Sequence, residues 1–180
     1  METNKLIKER YSPVVFLDKE IDEQVLMQLF EAARWAPSAF NEQPWRFLYC
    51  SKNDKERYEK LFSCLVDGNK EWAKTAPALM LVLAKKNFSH HSKPNLFHQF
   101  DTGMAVENFI IAGMEHGVFV HQMGGFSADQ AREKFTISDD YSIISVAAIG
   151  YPGDINTLPE ALKQRAEKPR VRKEISEILF

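Results

Sequence analysis

A turn-rich segment holds the first side chains that could bind a ligand. It spans residues 35–45 and reads W-A-P-S-A-F-N-E-Q-P-W, with two prolines that rigidify its backbone. Ser38, Asn41 and Gln43 each offer hydrogen-bond donors and acceptors, which suit the alternating carbonyl and N–H edge of a neutral heteroaromatic ring better than they suit an ion. The alternative is structural, because the same residues could cap a helix end and lead into a strand.

Basic side chains at the two ends of the chain are candidates for an anion site. Arg10 stands two residues before Ser12, and Arg170, Arg172 and Lys173 follow near the C-terminus. An Arg guanidinium donates two parallel hydrogen bonds to a phosphate, and a Ser hydroxyl adds a further donor. If the fold brings these residues together they would bind phosphate, and if it leaves them apart they are solvated surface charges.

A glycine pair and a group of histidines give weaker signals. Gly124 and Gly125 carry no side chains, so their backbone N–H groups could approach a flat ligand closely, although a tight turn explains the pair equally well. His90, His91 and His98 could suggest a metal, but their spacing fits no helical or hairpin ligand geometry, and we predict no metal site. The glycine motifs of dinucleotide and P-loop sites are absent from the sequence.

The composition predicts one globular domain over residues 1–180. The chain is 44% hydrophobic and 12% aromatic, with a formal net charge of −2, which argues against a nucleic-acid partner. Its apolar runs are shorter than the roughly 18 residues that a membrane span needs, and its N-terminus lacks the apolar core of a signal peptide. We therefore expect a cytoplasmic protein that does not bind membranes. Cys50 and Cys64 fit buried, reduced core positions.

Hydrophobic periodicity places these residues on a series of helices and strands. Asp22, Asp101 and Ser127 are predicted N-caps. A strongly apolar helix over 101–116 is expected to be buried nearly all round, and residues 87–100 are expected to form a loop or flap. Other predicted elements are helices at 22–35, 54–65 and 127–135 and strands at 46–50, 78–84 and 141–150. The apolar residues of the tail, 152–180, need a surface to cover, so we expect the tail to wrap over another subunit.

Taken in order, these motifs closely resemble the FMN-dependent nitroreductase family over essentially the whole chain. The most specific run is A-P-S-x-x-N-x-Q-P-W within AARWAPSAFNEQPWRF at 32–47. The supporting motifs are RYSPVVF at 10–16, GNKEWAKTAPALMLV at 68–82, DTGMAVENFIIAGMEHG at 101–117, HQMGGF at 121–126, AAIGYP at 147–152 and KPRVRKEISEILF at 168–180.

The resemblance implies an α+β fold with a central, mostly antiparallel sheet flanked by helices, and an intertwined homodimer that binds one FMN at each of two interface sites. Arg10, Ser12, Arg170 and Arg172, with Tyr11 between the first two, would hold the phosphate and ribityl chain. From the other subunit, Pro37, Ser38, Ala39, Asn41 and Gln43 would lie against the flavin. Asn69 would bind the pyrimidine edge, and Gln122, Met123, Gly124 and Gly125 would pass along the opposite ring face, with the Gly124 N–H near the flavin N5.

The implied activity is a ping-pong NAD(P)H oxidoreductase that reduces nitroaromatics, quinones or similar flat acceptors. The chemistry is carried by FMN, so no side chain is assigned a catalytic role. Phe40, Trp72, Phe88 and Phe97 are candidates to stack on an acceptor or, equally, to belong to the core. The alternatives are a specialised member of the family, such as a dehalogenase or dehydrogenase, and a flavin-binding protein without turnover.

Two positions depart from the family pattern. Tyr11 stands where many members carry Arg or His, and Val14 stands where they often carry Lys or Arg. A cation near the flavin N1 and O2 stabilises the negative charge of the reduced ring, and a valine cannot. We expect a lower flavin potential than in members with that cation, unless Lys70 or Lys74 takes its place.

Overall fold

The structure is a computed structural model that describes residues 4–179, and its centre is a four-stranded sheet. The strands are β1 (Trp45–Ser51), β2 (Ala78–Lys85), β3 (Phe119–Met123) and β4 (Tyr141–Gly150), in the spatial order β1-β2-β4-β3. Each neighbouring pair is antiparallel. With the flanking helices this confirms the expected α+β fold.

Seven α-helices surround the sheet in the part of the chain that is described. They are α1 (Lys5–Glu9), α2 (Glu23–Arg34), α3 (Lys55–Ser63), α4 (Asp67–Ala73), α5 (His98–Glu115), α6 (Ala128–Lys134) and α7 (Glu160–Glu167).

The core is divided into two layers by the sheet, because successive strand residues point to opposite faces. Leu79 and Leu81 of β2 pack on one side with residues of α3 and α4. Met80 and Val82 pack on the other side with residues of α2 and α5. Every residue from Ala78 to Ala84 is buried, as expected for a strand that is covered on both faces.

Local sequence signals fixed several helix starts correctly. The Asp22 carboxylate accepts hydrogen bonds from the N–H groups of Gln24 and Val25, and the Ser127 hydroxyl accepts one from Gln130. The Asp101 prediction was wrong, because α5 begins three residues earlier, at His98.

Two further expectations need correction. Helix α5 is buried on one side only, since Phe100 and Glu107 are exposed within a single chain. Strand β3 was not predicted from the sequence, because two of its five residues, His121 and Gln122, are polar.

The C-terminal tail runs over the surface with little core of its own. Val171, Ile175, Ile178 and Leu179 are 61–79% exposed. Phe180, the last residue of the predicted tail, lies outside the described residues. None of the helices within residues 4–179 combines the length and apolar character that crossing a bilayer requires.

Candidate functional site

The two ends of the chain meet at a cavity of about 330 Å³. Arg10, Tyr11 and Ser12 line it from the end of α1, and Arg170 and Arg172 line it from the tail. The Arg170 guanidinium donates a hydrogen bond to the carbonyl of Arg10, and Arg10 Nη1 lies 3.5 Å from Ser12 Oγ. The fold therefore assembles basic residues that lie 160 positions apart in the sequence.

The cavity is strongly electropositive. Arg165 and Lys168 also line it, which brings its Arg and Lys side chains to five, and no Asp or Glu is among its lining residues. Burial raises the pKa of the Tyr11 hydroxyl, and the charge of Arg170 opposes that rise. Sequence reasoning missed Arg165 and Lys168 because α7 is short and mostly polar. This cavity is suited to a phosphate or another multivalent anion.

A second group joins α4 to the turn after β3. Asn69 Nδ2 donates to the Gly125 carbonyl at 2.9 Å, and the Val66 N–H donates to the same oxygen at 3.1 Å. A Cβ at Gly125 would lie 2.7 Å from Asn69 Nδ2, whereas a Cβ at Gly124 would meet no described atom within 4 Å. A side chain at position 125 would therefore force Asn69 or Val66 to shift, while position 124 borders open space among the described residues.

Gln122 and Met123 point to opposite faces of β3. The Met123 side chain is buried in the core, so only its backbone could contact a ligand. Gln122 Oε1 accepts a hydrogen bond from Ser145 Oγ at 2.6 Å. Its buried Nε2 has no partner within residues 4–179, and it is a donor that remains available.

The 37–43 segment adopts an unusual backbone that internal contacts hold in place. Phe40, Asn41 and Gln43 have φ angles of 53°, 55° and 54°, in the left-handed region that L residues seldom occupy. The Ser38 hydroxyl accepts the Gln43 N–H at 3.0 Å. The buried Asp101 carboxylate accepts the N–H of Ala39 at 3.0 Å. Asp101 thus orients this segment from the first turn of α5 instead of capping that helix.

Glu42 connects the same segment to the loop at 86–97. Its side chain is only 4% exposed, and its carboxylate accepts the Ser89 N–H at 2.9 Å and the Ser89 hydroxyl at 2.6 Å. Burial by itself raises the pKa of Glu42, but the two Ser89 hydrogen bonds and the charges of Lys85 and His90 outweigh burial and hold the pKa below its usual value. The loop is therefore fastened to the 37–43 segment by a buried, ionised carboxylate.

Within a single chain, the predicted site residues lie in separate groups. The 37–43 segment takes its shape from Asp101, Ser89 and its own side chains, and within residues 4–179 no hydrogen bond connects it to the basic cavity or to Asn69.

The aromatic candidates separate clearly by exposure. Trp72 is fully buried, so the suggestion that it stacks on an acceptor was wrong. Phe88 is also largely buried, whereas Phe40 and Phe97 are 84% and 58% exposed. The ring of Phe40 meets that of Phe88 edge-on at 5.7 Å.

The three candidate histidines have separate surroundings. His98 Nδ1 lies 2.6 Å from the Asn95 carbonyl and its Nε2 lies 2.9 Å from Ser142 Oγ, so both ring nitrogens have partners. His90 and His91 pack against Phe88. In the described part of the chain, no three His, Cys, Asp or Glu side chains are grouped as a metal ion would require.

Comparison with known proteins gives a consistent result. A solved structure described as an oxidoreductase containing FMN is 34% identical, with a TM-score of 0.94, and the match covers 100% of this chain and 91% of that one. A nitroreductase family protein from Clostridium difficile 630 is 25% identical, with a TM-score of 0.76 and 100% and 98% coverage. An Archaeoglobus fulgidus protein, provisionally named an NADH dehydrogenase/NAD(P)H nitroreductase, is 29% identical over 177 residues, which are 96% of this chain and 98% of that one.

The family profile extends over most of the fold described above. Residues 7–151 match the nitroreductase family, a stretch that contains the 37–43 segment, Asn69, the turn after β3 and all four strands. The chain therefore belongs to the nitroreductase family.

Proposed function

We propose that this chain is an FMN-dependent NAD(P)H oxidoreductase that reduces nitroaromatics, quinones or similar flat acceptors. The observation that carries the proposal is the basic cavity at which Arg10 and Ser12 meet Arg170 and Arg172, and the Asn69–Gly125 contact adds to it. Among its relatives, one is described as containing FMN and another carries an NAD(P)H nitroreductase name.

The described residues fit the parts of an FMN molecule. Arg10, Ser12, Arg170 and Arg172 would hold the phosphate, because they supply hydrogen-bond donors in a cavity without carboxylates. Asn69 would contact the pyrimidine edge. The open space at Gly124 lets the backbone N–H approach a flat ring without a side chain between them.

FMN, when bound, supplies the acceptor and donor of hydride, so the protein needs no covalent chemistry of its own. The task of these residues is to fix the ring and to leave one face accessible to NAD(P)H and the acceptor in turn, which gives a ping-pong order. Val14 is a buried residue among those that line the basic cavity, so position 14 itself supplies no cation. Lys74 lines a different cavity with Lys52 and Tyr58.

The proposal includes a homodimer in which the partner supplies the 37–43 segment. Trp35, Phe40 and Phe100 are 69–84% exposed in a single chain, a large apolar area for a protein surface. The described part of the tail, 152–179, adds further exposed apolar side chains. A partner subunit would cover these groups and complete the site.

A flavin-binding protein without turnover is the second candidate. It is favoured by the Glu42–Ser89 contacts, which fasten the 86–97 loop beside the 37–43 segment and could restrict access of the nicotinamide. A specialised reaction of the same family, such as dehalogenation or dehydrogenation, would use the same cofactor site.

The visible absorption spectrum of the purified protein tests these proposals first, followed by anaerobic addition of NADH or NADPH. We expect a flavin spectrum that bleaches with at least one donor and recovers when a quinone is added. Bound flavin that neither donor bleaches would favour the second candidate or a specialised enzyme. The absence of a flavin spectrum after incubation with FMN would contradict the proposed function.

A further inference from the structure

His121 occupies a position in the basic cavity that the proposed contacts to FMN do not use. It lies on β3 and is one of the residues that line the cavity. The ring stacks on the buried Trp72, with centroids 4.1 Å apart and planes inclined by 22°. This stacking fixes the imidazole against the wall.

The hydrogen bond at one ring nitrogen determines the protonation of the other. His121 Nδ1 lies 2.7 Å from the carbonyl oxygen of Pro13. Because a carbonyl only accepts, Nδ1 carries the hydrogen, and in the neutral ring Nε2 holds a lone pair. Within residues 4–179, Nε2 has no hydrogen-bond partner.

The surroundings favour the neutral form of this imidazole. Burial lowers the pKa of His121, the charges of Arg165 and Arg10 lower it further, and only the bond to Pro13 opposes them. Lys168, Arg170 and Arg172 add positive charge across the same cavity, Tyr11 is the other titratable group that lines it, and no Asp or Glu within residues 4–179 does so. A phosphate dianion would neutralise much of this field and would offer an acceptor to a protonated Nε2.

We propose that His121 is a proton-coupled phosphate ligand: when a phosphate ester enters the basic cavity, the imidazole takes a proton from solvent onto Nε2 and donates that hydrogen to the phosphate. This proposal rests on the proposed FMN site and adds a residue to it. Its consequence is that phosphate binding consumes protons near neutral pH.

Proton uptake can be measured by titrating the protein, freed of flavin, with FMN in a calorimeter. The titration is repeated in two buffers of different ionisation enthalpy at pH 7. Because an adjacent dianion favours the protonated ring, the wild type should take up a larger fraction of a proton per FMN than a His121→Asn variant. Asn keeps a donor for the Pro13 carbonyl but does not titrate. The matched control is His116→Gln, which replaces an exposed histidine at the end of α5.

A riboflavin control and an NMR titration make the outcome unambiguous. Riboflavin lacks the phosphate, so its binding should show no difference in proton uptake between wild type and His121→Asn. The NMR titration of the His121 ring in the wild type needs no variant, and the midpoint should rise by at least about one pH unit when FMN is present.

Equal proton uptake by wild type and His121→Asn, or an unchanged His121 midpoint with FMN bound, would overturn this assignment while leaving the proposed cofactor intact. If the wild type does not bind FMN, the proposed function fails instead. The same ring titration with inorganic phosphate then tests the role of His121 without FMN. A raised midpoint supports His121 as a phosphate ligand, and an unchanged midpoint refutes that role.

Discussion

The Asn69–Gly125 contact leads to a prediction in which two neighbouring glycines behave differently. In Gly125→Ala, the new methyl group would lie 2.7 Å from Asn69 Nδ2 and 2.9 Å from Val66 Cγ2. In Gly124→Ala, the methyl group would meet no described atom within 4 Å. We expect the first substitution to destabilise the protein before any ligand is involved, and the second to leave its stability unchanged.

The magnitude follows from the two ways in which the clash can be relieved. If the surroundings do not move, overpacking costs about 1–3 kcal/mol. If the Asn69 side chain swings away, the strain is relieved, but its hydrogen bond to the Gly125 carbonyl is lost, at a net cost of about 0.5–1.5 kcal/mol. Together the two routes predict a loss of about 0.5–3 kcal/mol, and for a chain of this size each kcal/mol lowers the melting temperature by about 2–4 °C.

Urea unfolding of the flavin-free protein at one fixed concentration measures this difference, because ligand and subunit association would otherwise shift the midpoint. FMN titration then gives the second comparison. Gly124→Ala should bind FMN more weakly than the wild type although it is equally stable, since its methyl group enters the space proposed for the ring. A free energy of unfolding for Gly125→Ala within about 0.5 kcal/mol of the wild type would refute this packing argument.

Three other perturbations test separate parts of the structure. Because the folded pKa of Glu42 is below its unfolded value, its ionised form stabilises the protein above the unfolded pKa of about 4.3, and this stabilisation is lost as the pH falls through the folded pKa. Urea unfolding between pH 3 and 6 should therefore show a stability difference between wild type and Glu42→Gln that shrinks towards acid, and a constant difference would contradict it. Burial raises the pKa of the Cys50 thiol to about 11, so alkylation at pH 8 should require unfolding, and rapid modification of the native protein would argue against the buried position. Val14→Lys should raise the flavin reduction potential, measured by dye equilibration, relative to a Val14→Leu control. An unchanged potential would show that a charge at position 14 does not affect the flavin ring.

Local signals in the sequence identified elements whose ends are decided by neighbouring residues. Asp22 and Ser127 cap the helices that they were expected to cap, because an N-cap interacts with N–H groups only two or three residues away. The strand over 141–150 was predicted with its observed bounds, since a mostly apolar run with only two serines in it is a strong local signal. Asp101 satisfied the same local rule, but its carboxylate binds the Ala39 N–H, 62 residues away in sequence.

The individual sequence motifs were sufficient to indicate which residue types could bind a flat ligand and an anion, and their order was sufficient to indicate the family. Only the tertiary structure decided that Arg10 and Arg170 share one cavity, that Trp72 is buried, and that His121 lines that cavity with one ring nitrogen unpartnered among residues 4–179. The reason is physical. Caps and hydrophobic periods depend on residues within a few positions of one another, whereas a cavity and its electric field are made by residues that meet only after the chain has folded.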